Sequence, residues 1–271
     1  MFSLITLYLA PVIGFPWTIR IIGFISLACC TIACLTLQTR PTNPSAETKS
    51  TAPKPNLQTT LHRAIDLRPL AHDPAYLTTT VAIIVIEFAV FLPITYLPSA
   101  ALTAGHGLSS QTSLRLIALL NAGSVPGRAL PNYLSDHLGR FNVMITTALA
   151  CTVLIFCVWL PPTALDVTSE ASLTVFAVLF GFWSGAAISL TPVCVAQVSD
   201  VGEVGRRVGT TFSISSFGAL VGVPIGGAIV DGSGGGYLWL VVFAGGCYVL
   251  ALGAFVVARY VAGPKRLWAA Y

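Results

Sequence analysis

Residues 121–142 read Asn121-Ala-Gly-Ser-Val-Pro-Gly-Arg128-Ala-Leu-Pro-Asn-Tyr-Leu-Ser-Asp136-His-Leu-Gly-Arg140-Phe-Asn142. An arginine stands inside an apolar stretch, and an acid-x-x-Gly-Arg turn follows directly. A central arginine costs a membrane helix about 2.5–3.5 kcal/mol on insertion scales, so it is kept where it faces protein or water. On a helix, Asn121, Ser124, Arg128, Asn132 and Ser135 share one face. The stretch therefore reads as a membrane helix with one polar stripe, closed by a charged turn.

The rest of the chain agrees with a bilayer as its solvent. Its 271 residues are 55% hydrophobic and only 9% charged, with a mean hydropathy of +0.82. Soluble domains carry about 25% charged residues. A spanning helix needs about 20 mostly apolar residues, and the apolar runs here are long and do not alternate as barrel strands would. The fold class is an all-α polytopic membrane protein. Seven spans are expected, at 19–37, 78–97, 114–134, 143–160, 173–195, 209–230 and 238–260. Residues 1–18 are apolar but broken by Pro11, Gly14 and Pro16. No basic region precedes Leu4, so no cleavable signal pattern is read.

Basic residues set the orientation. Arg40, Lys49, Lys54, Arg63, Arg68, Arg140, Arg206, Arg207, Arg259, Lys265 and Arg266 fall on one side, eleven of the fourteen in the chain. The opposite connections carry Asp166, Glu170 and Asp231. The basic side, with the C-terminus, is expected to be cytoplasmic, in the plasma membrane or an internal one. Residues 38–77 form a Pro-, Thr- and Ser-rich cytoplasmic linker. Its second part, with Leu57, Leu61 and Ile65 near helical spacing, reads equally as an interfacial helix or an unstructured segment. The organisation is then 1–37, a first segment with one span; 38–77, the linker; 78–260, a six-helix bundle; and 261–271, a tail.

Several chemistries fall away. A net charge of +4 does not suggest nucleic acid. The seven cysteines lie in apolar runs without disulfide or metal spacing. No phosphate-binding Gly-x-x-x-x-Gly-Lys-Ser/Thr motif occurs. No cofactor or metal is expected, and the chain reads as a non-enzyme. Lipid is the expected surrounding, with a small organic solute and protons as candidate partners.

The candidate site starts from Arg128, whose planar fork suits a carboxylate, with Asn121 and Ser124 beside it as substrate-binding or coupling residues. A purely structural ion pair is the alternative. Glu87 is the single acid deep in the second span, placed either against Arg128 or as a proton carrier. Asp136, Gly139 and Arg140 form a candidate gate, Gly139 allowing a tight reversal. Gly181 with Gly185, and Gly218, Gly222 and Gly226, lie at four-residue spacings that let helices approach closely. Pro93, Pro192 and Pro224 mark candidate kinks.

The 121–142 stretch resembles the eighth helix and following loop of the fungal monocarboxylate-transporter-like family of the major facilitator superfamily. Phe180-Gly-Phe-Trp-Ser-Gly-Ala-Ala-Ile-Ser-Leu-Thr-Pro192-Val is similar to that family's tenth helix. Ser216-Phe-Gly-Ala-Leu-Val-Gly-Val-Pro-Ile-Gly-Gly227 resembles its eleventh, and Gly14-Phe-Pro-Trp-Thr-Ile-Arg20 the start of its sixth. The resemblance implies a twelve-helix secondary carrier of which this chain supplies helices six to twelve. It leaves two readings: a carrier of a small organic, anionic solute, or a non-transporting fragment or half-carrier lacking the first five helices. Animal members have an aspartate four residues before the eighth-helix arginine. Ser124 stands there, so proton-lactate coupling of the animal kind does not carry over.

Overall fold

The computed structural model describes residues 13–36, 70, 72–103, 109–165, 167 and 169–262. The expected interfacial helix near 57–68 and most of the linker lie outside them. Two compact units are present, Met1–Arg63 and Ala64–Tyr271. The first holds α1, Phe15–Thr36, whose side chains are almost all exposed. Such a helix, apolar all round, has lipid or another helix as its natural surroundings.

The second unit is a bundle of six helices. They are α2 (Pro74–Thr103), α3 (Ser110–Leu138), α4 (Arg140–Ala164), α5 (Glu170–Gln197), α6 (Val204–Gly232) and α7 (Leu238–Ala262). Each overruns the span read from hydropathy, because capping residues extend it into the connections. Asp73 Oδ1 accepts from the N–H groups of Ala75 and Tyr76 at 3.1 and 3.2 Å. Ser109 caps α3 by accepting from Thr112 N–H at 3.2 Å. Ser169 and Ser172 form a reciprocal capping box on α5. These groups satisfy orphan donors that a helix start would otherwise leave bare.

Among the described residues six helices are long and apolar enough to cross a membrane, and α3 is the exception. It has the length, 29 residues, but its polar stripe lowers its hydropathy. All seven expected spans coincide with helices, six of them meeting the length and hydropathy of a membrane crossing.

The bundle core is aromatic along one line. Trp159, Phe176, Phe180 and Tyr248 touch in sequence, with ring centroids 4.9, 5.1 and 6.0 Å apart, the middle pair stacked and the last edge to face. Four of the apolar α-helices are packed around them, and large apolar side chains such as Leu220 and Leu250 face outward. The outward leucines suit lipid. α4 contains a π-turn at Ile155–Trp159. Pro161 and Pro162 follow it and cannot donate to the carbonyls one turn back, so the helix widens there.

Candidate functional site

The α3 stripe is anchored by its opposite flank. Gly123 and Gly127 lie so near α5 that a Cβ on either would sit 2.4 Å from the Val178 carbonyl oxygen or 2.0 Å from that of Phe182. From the α5 side, a Cβ on Gly181 would meet the Leu120 carbonyl oxygen at 2.2 Å, and one on Gly185 the Ser124 backbone at 2.8 Å. Two small-xxx-small pairs therefore interlock, backbone on backbone. The glycines at 181 and 185 were legible as packing positions. Gly123 and Gly127 were missed, although they stand four residues apart in the same quoted stretch.

This seam splits the stripe. Ser124 and Ser135 are buried, Asn121 and Asn132 half-buried, and Arg128 is exposed. The four uncharged side chains turn back on their own helix. Asn121 Nδ2 donates to the Ile117 carbonyl at 2.8 Å, Ser124 Oγ to Asn121 at 2.8 Å, Asn132 Nδ2 to Arg128 at 2.6 Å and Ser135 Oγ to Asn132 at 2.7 Å. Arg128 has no ion pair among the described residues. Its guanidinium is exposed on the bundle surface. Ser124 stands against Gly185, and its hydroxyl is used locally, which separates it from Arg128.

Glu87 is buried, as its position deep in the second span suggests. Of the two placements read from the sequence, the pairing with Arg128 is not formed. Glu87 Oε1 accepts from Thr191 Oγ1 of α5 at 3.4 Å. The α2 helix turns this carboxyl into the bundle, whereas Arg128 faces out of it.

At the turn, Gly139 has φ 89°, a conformation that side chains with Cβ rarely adopt. Its N–H donates to the Ser135 carbonyl at 3.0 Å and closes α3. Asp136 is exposed and has no ion pair among the described residues, and Arg140 is half-buried. An apolar cleft between α3, α4 and α5, lined by Pro131, Leu134, Val143 and Trp183, lies on another flank from Arg128.

The strongest ionic cluster at this end of the bundle is one that sequence reading used only for orientation. Arg207 of α6 is buried. Its Nη1 donates to Asp73 Oδ2 at 2.7 Å and to the Val198 carbonyl at 3.0 Å, and its Nε to Glu203 Oε2 at 3.2 Å. The guanidinium carbon lies 4.9 Å from the centre of the Tyr76 ring, a cation–π contact. The Tyr76 hydroxyl donates to the Arg207 carbonyl at 3.0 Å. One side chain thus ties the start of α2, the start of α6 and the α5–α6 connection. Partial burial pushes the Asp73 carboxyl up. The hydrogen bond and charge of Arg207, with the N–H groups of Tyr76 and Ala75, outweigh that and hold it below the usual carboxylate range. Nearby, Arg259 Nε of α7 donates to Asn142 Oδ1 of α4 at 3.1 Å.

The arrangement is that of a helical membrane bundle with an exposed cation on a polar stripe and a charged rim. The sequence profile described as Major Facilitator Superfamily matches residues 1–168 and 132–268, and this chain belongs to that family. The MFS-type transporter opdF of Penicillium oxalicum is 34% identical over 92% of this chain and 54% of its own length. The MFS-type transporter 1 of an Ophiocordyceps species is 36% identical over 96% of this chain and 53% of its own. The riboflavin transporter MCH5 of Saccharomyces cerevisiae is 32% identical over 94% of this chain and 48% of its own. These relatives are named as transporters and not as enzymes. The chain spans about half the length of the curated relatives it matches.

Proposed function

We propose that this chain is the second half, with one preceding helix, of a secondary transporter that moves a small organic anion. The observation that carries the reading is Arg128, a cation exposed on α3 with no ion pair among the described residues. An unneutralised guanidinium at the middle of a membrane helix needs a counter-charge, and its bidentate fork fits a carboxylate. The α3–α5 glycine seam supports the same reading, since it fixes the helix that carries the arginine. The family relation to named fungal transporters supports the activity, and the riboflavin transporter among them supports an organic solute. Asn121 and Ser124 are proposed as further binding or coupling residues of the same helix, and Asp136, Gly139 and Arg140 as the gate at the basic rim. That rim and the C-terminus are proposed to be cytoplasmic, on the distribution of the basic residues. Major facilitator pathways lie between two halves that rock about a midplane site. A second half is therefore the proposed partner of the α3 surface, and the chain alone is proposed not to transport.

The test is uptake in cells that co-express this chain with residues corresponding to the first half of a relative. Arg128→Ala is expected to abolish uptake of an organic anion while surface expression stays normal, and Arg128→Lys to rescue poorly, because a point charge lacks the fork. Undiminished uptake by Arg128→Ala rejects the binding role.

A further inference from the structure

The apolar cleft between α3, α4 and α5 takes no part in the Arg128 surface. It encloses about 310 Å³, at the lower end of the roughly 300–1,000 Å³ of pockets that hold small ligands. Its walls are Pro131, Leu134 and Leu138 of α3, Val143 of α4, and Phe182 with Trp183 of α5. The α3 wall is half bare: Leu134 is 47% exposed and Leu138 43%. Leu138 and Val143 flank the Gly139 turn, so the cleft opens at the basic rim of the bundle. Apolar side chains beside water favour a cover.

α7 ends at the same rim. Arg259, in its last turn, donates to Asn142 of α4 at 3.1 Å. Asn142 precedes Val143 and stands one turn from Thr146, a further lining residue of the cleft. The described part of α7 closes at Ala262, packed against the bundle core. Residues 263–271 read Gly263-Pro-Lys-Arg-Leu-Trp-Ala-Ala-Tyr271 and lie outside the described residues. Gly-Pro is a turn-forming pair. Leu267 and Trp268 follow it, an apolar couple directly after two cations. The six residues from Ala262 to Trp268 span at most about 20 Å, and Arg259 already touches the helix that forms one wall. Charge favours the same seat. Asp136, exposed beside the mouth, forms no ion pair with another described residue. The other titratable groups of that turn are His137, exposed, and Arg140, half-buried.

We propose that residues 263–271 dock onto their own bundle, with Leu267 and Trp268 in the α3–α4–α5 cleft and Lys265 and Arg266 beside Asp136. A lipid chain entering the cleft would cover the leucines but bring no cation to Asp136. Seated there, the segment straps the α3–α4 turn to the end of α7. Its effect, restraint of the Asp136–Arg140 gate, rests on the transport reading. The docking itself does not, since it is read without any substrate.

Photo-cross-linking of the full chain in lipid reads the seat. The probe is Trp268→p-benzoylphenylalanine, irradiated, digested and mapped by mass spectrometry. The expected links fall on peptides that contain Leu134, Val143 or Trp183. The same probe at Val201, which is 93% exposed on the α5–α6 connection, should not link to them. Leu134→Arg and Thr146→Arg place a charge on exposed positions of two different walls, and each should remove the link. Asp136→Asn should weaken it. Links to lipid alone, to a second isotope-labelled copy, or to helices away from the cleft overturn the proposal, as does a link that survives both arginine variants. Arg128→Ala should leave the link unchanged, so loss of the transport reading and loss of the docking are seen separately.

Discussion

Gly127→Ala tests the geometry that holds the site. The added methyl would lie 2.0 Å from the Phe182 carbonyl oxygen, where ordinary contact begins at 3.4 Å. The obstacle is backbone on both helices, so no side-chain rotamer relieves it. α3 and α5 must part by about 1.4 Å, which also loosens the seats of Gly123, Gly181 and Gly185. Overpacking costs about 1–3 kcal/mol in a well-packed core, and the upper end applies when the neighbour is a main chain. A loss of about 3 kcal/mol corresponds to roughly 6–12 °C in melting temperature for a bundle of this size. Gly253→Ala on α7 is the matched control: nothing lies within 4 Å of its added Cβ. That change should be neutral or stabilise by about 0.5–1 kcal/mol, the helix preference of alanine over glycine. Heating the full chain in detergent and measuring the monodisperse fraction by size-exclusion chromatography reads both. Gly127→Ala melting within about 2 °C of the unmodified chain would refute the backbone seam.

Four further outcomes are expected. Arg207→Ala should destabilise the bundle by about 1–2 kcal/mol, since the arginine is buried but its carboxylate partners are partly solvated, and Arg207→Lys should recover less than half of that in the same melting assay. Because the folded Asp73 carboxyl is held below its ordinary value, its stabilising share is present above the usual carboxylate range. That share is lost as pH falls through the folded value, and Asp73→Asn should flatten this acid limb of a melting-versus-pH curve. Asp136→Asn, at the rim and away from Arg128, should lower the maximal uptake rate more than the apparent affinity in co-expressing cells, and the reverse pattern would move Asp136 into the binding path. A cysteine introduced at Ser45 should stay unlabelled by an impermeant maleimide added to intact cells, and strong labelling would invert the proposed orientation.

The helical class and most helix positions were legible because long apolar runs leave few alternatives in a bilayer. The turn at Asp136–Arg140 was legible for a local reason, a glycine whose φ of 89° is written into one residue. The interior was much less so. The Arg207–Asp73 pair joins positions 134 residues apart, and a count of positive charges treats Arg207 as a surface marker when it is a buried clamp. The α3 stripe was read correctly as a face, but angular position alone does not say which part a neighbour covers. α5 covers Ser124 and leaves Arg128 open, and that division depends on Gly181 and Gly185, some 55 residues further on. Glu87 was likewise recognisable as a deep acid, while its partner, Thr191, depended on which way α2 is turned.

The hydroxyls and amides of α3 that bend back onto their own carbonyls have a consequence for how the chain is made. They conceal most of the helix's polarity, so the burden of leaving the insertion machinery for lipid falls on Arg128. α3 emerges from the ribosome well before Gly181 and Gly185, the residues that complete its seam. Its glycine seam therefore closes only after α5 has been made, so the packing that holds the helix of Arg128 in place is completed late in synthesis.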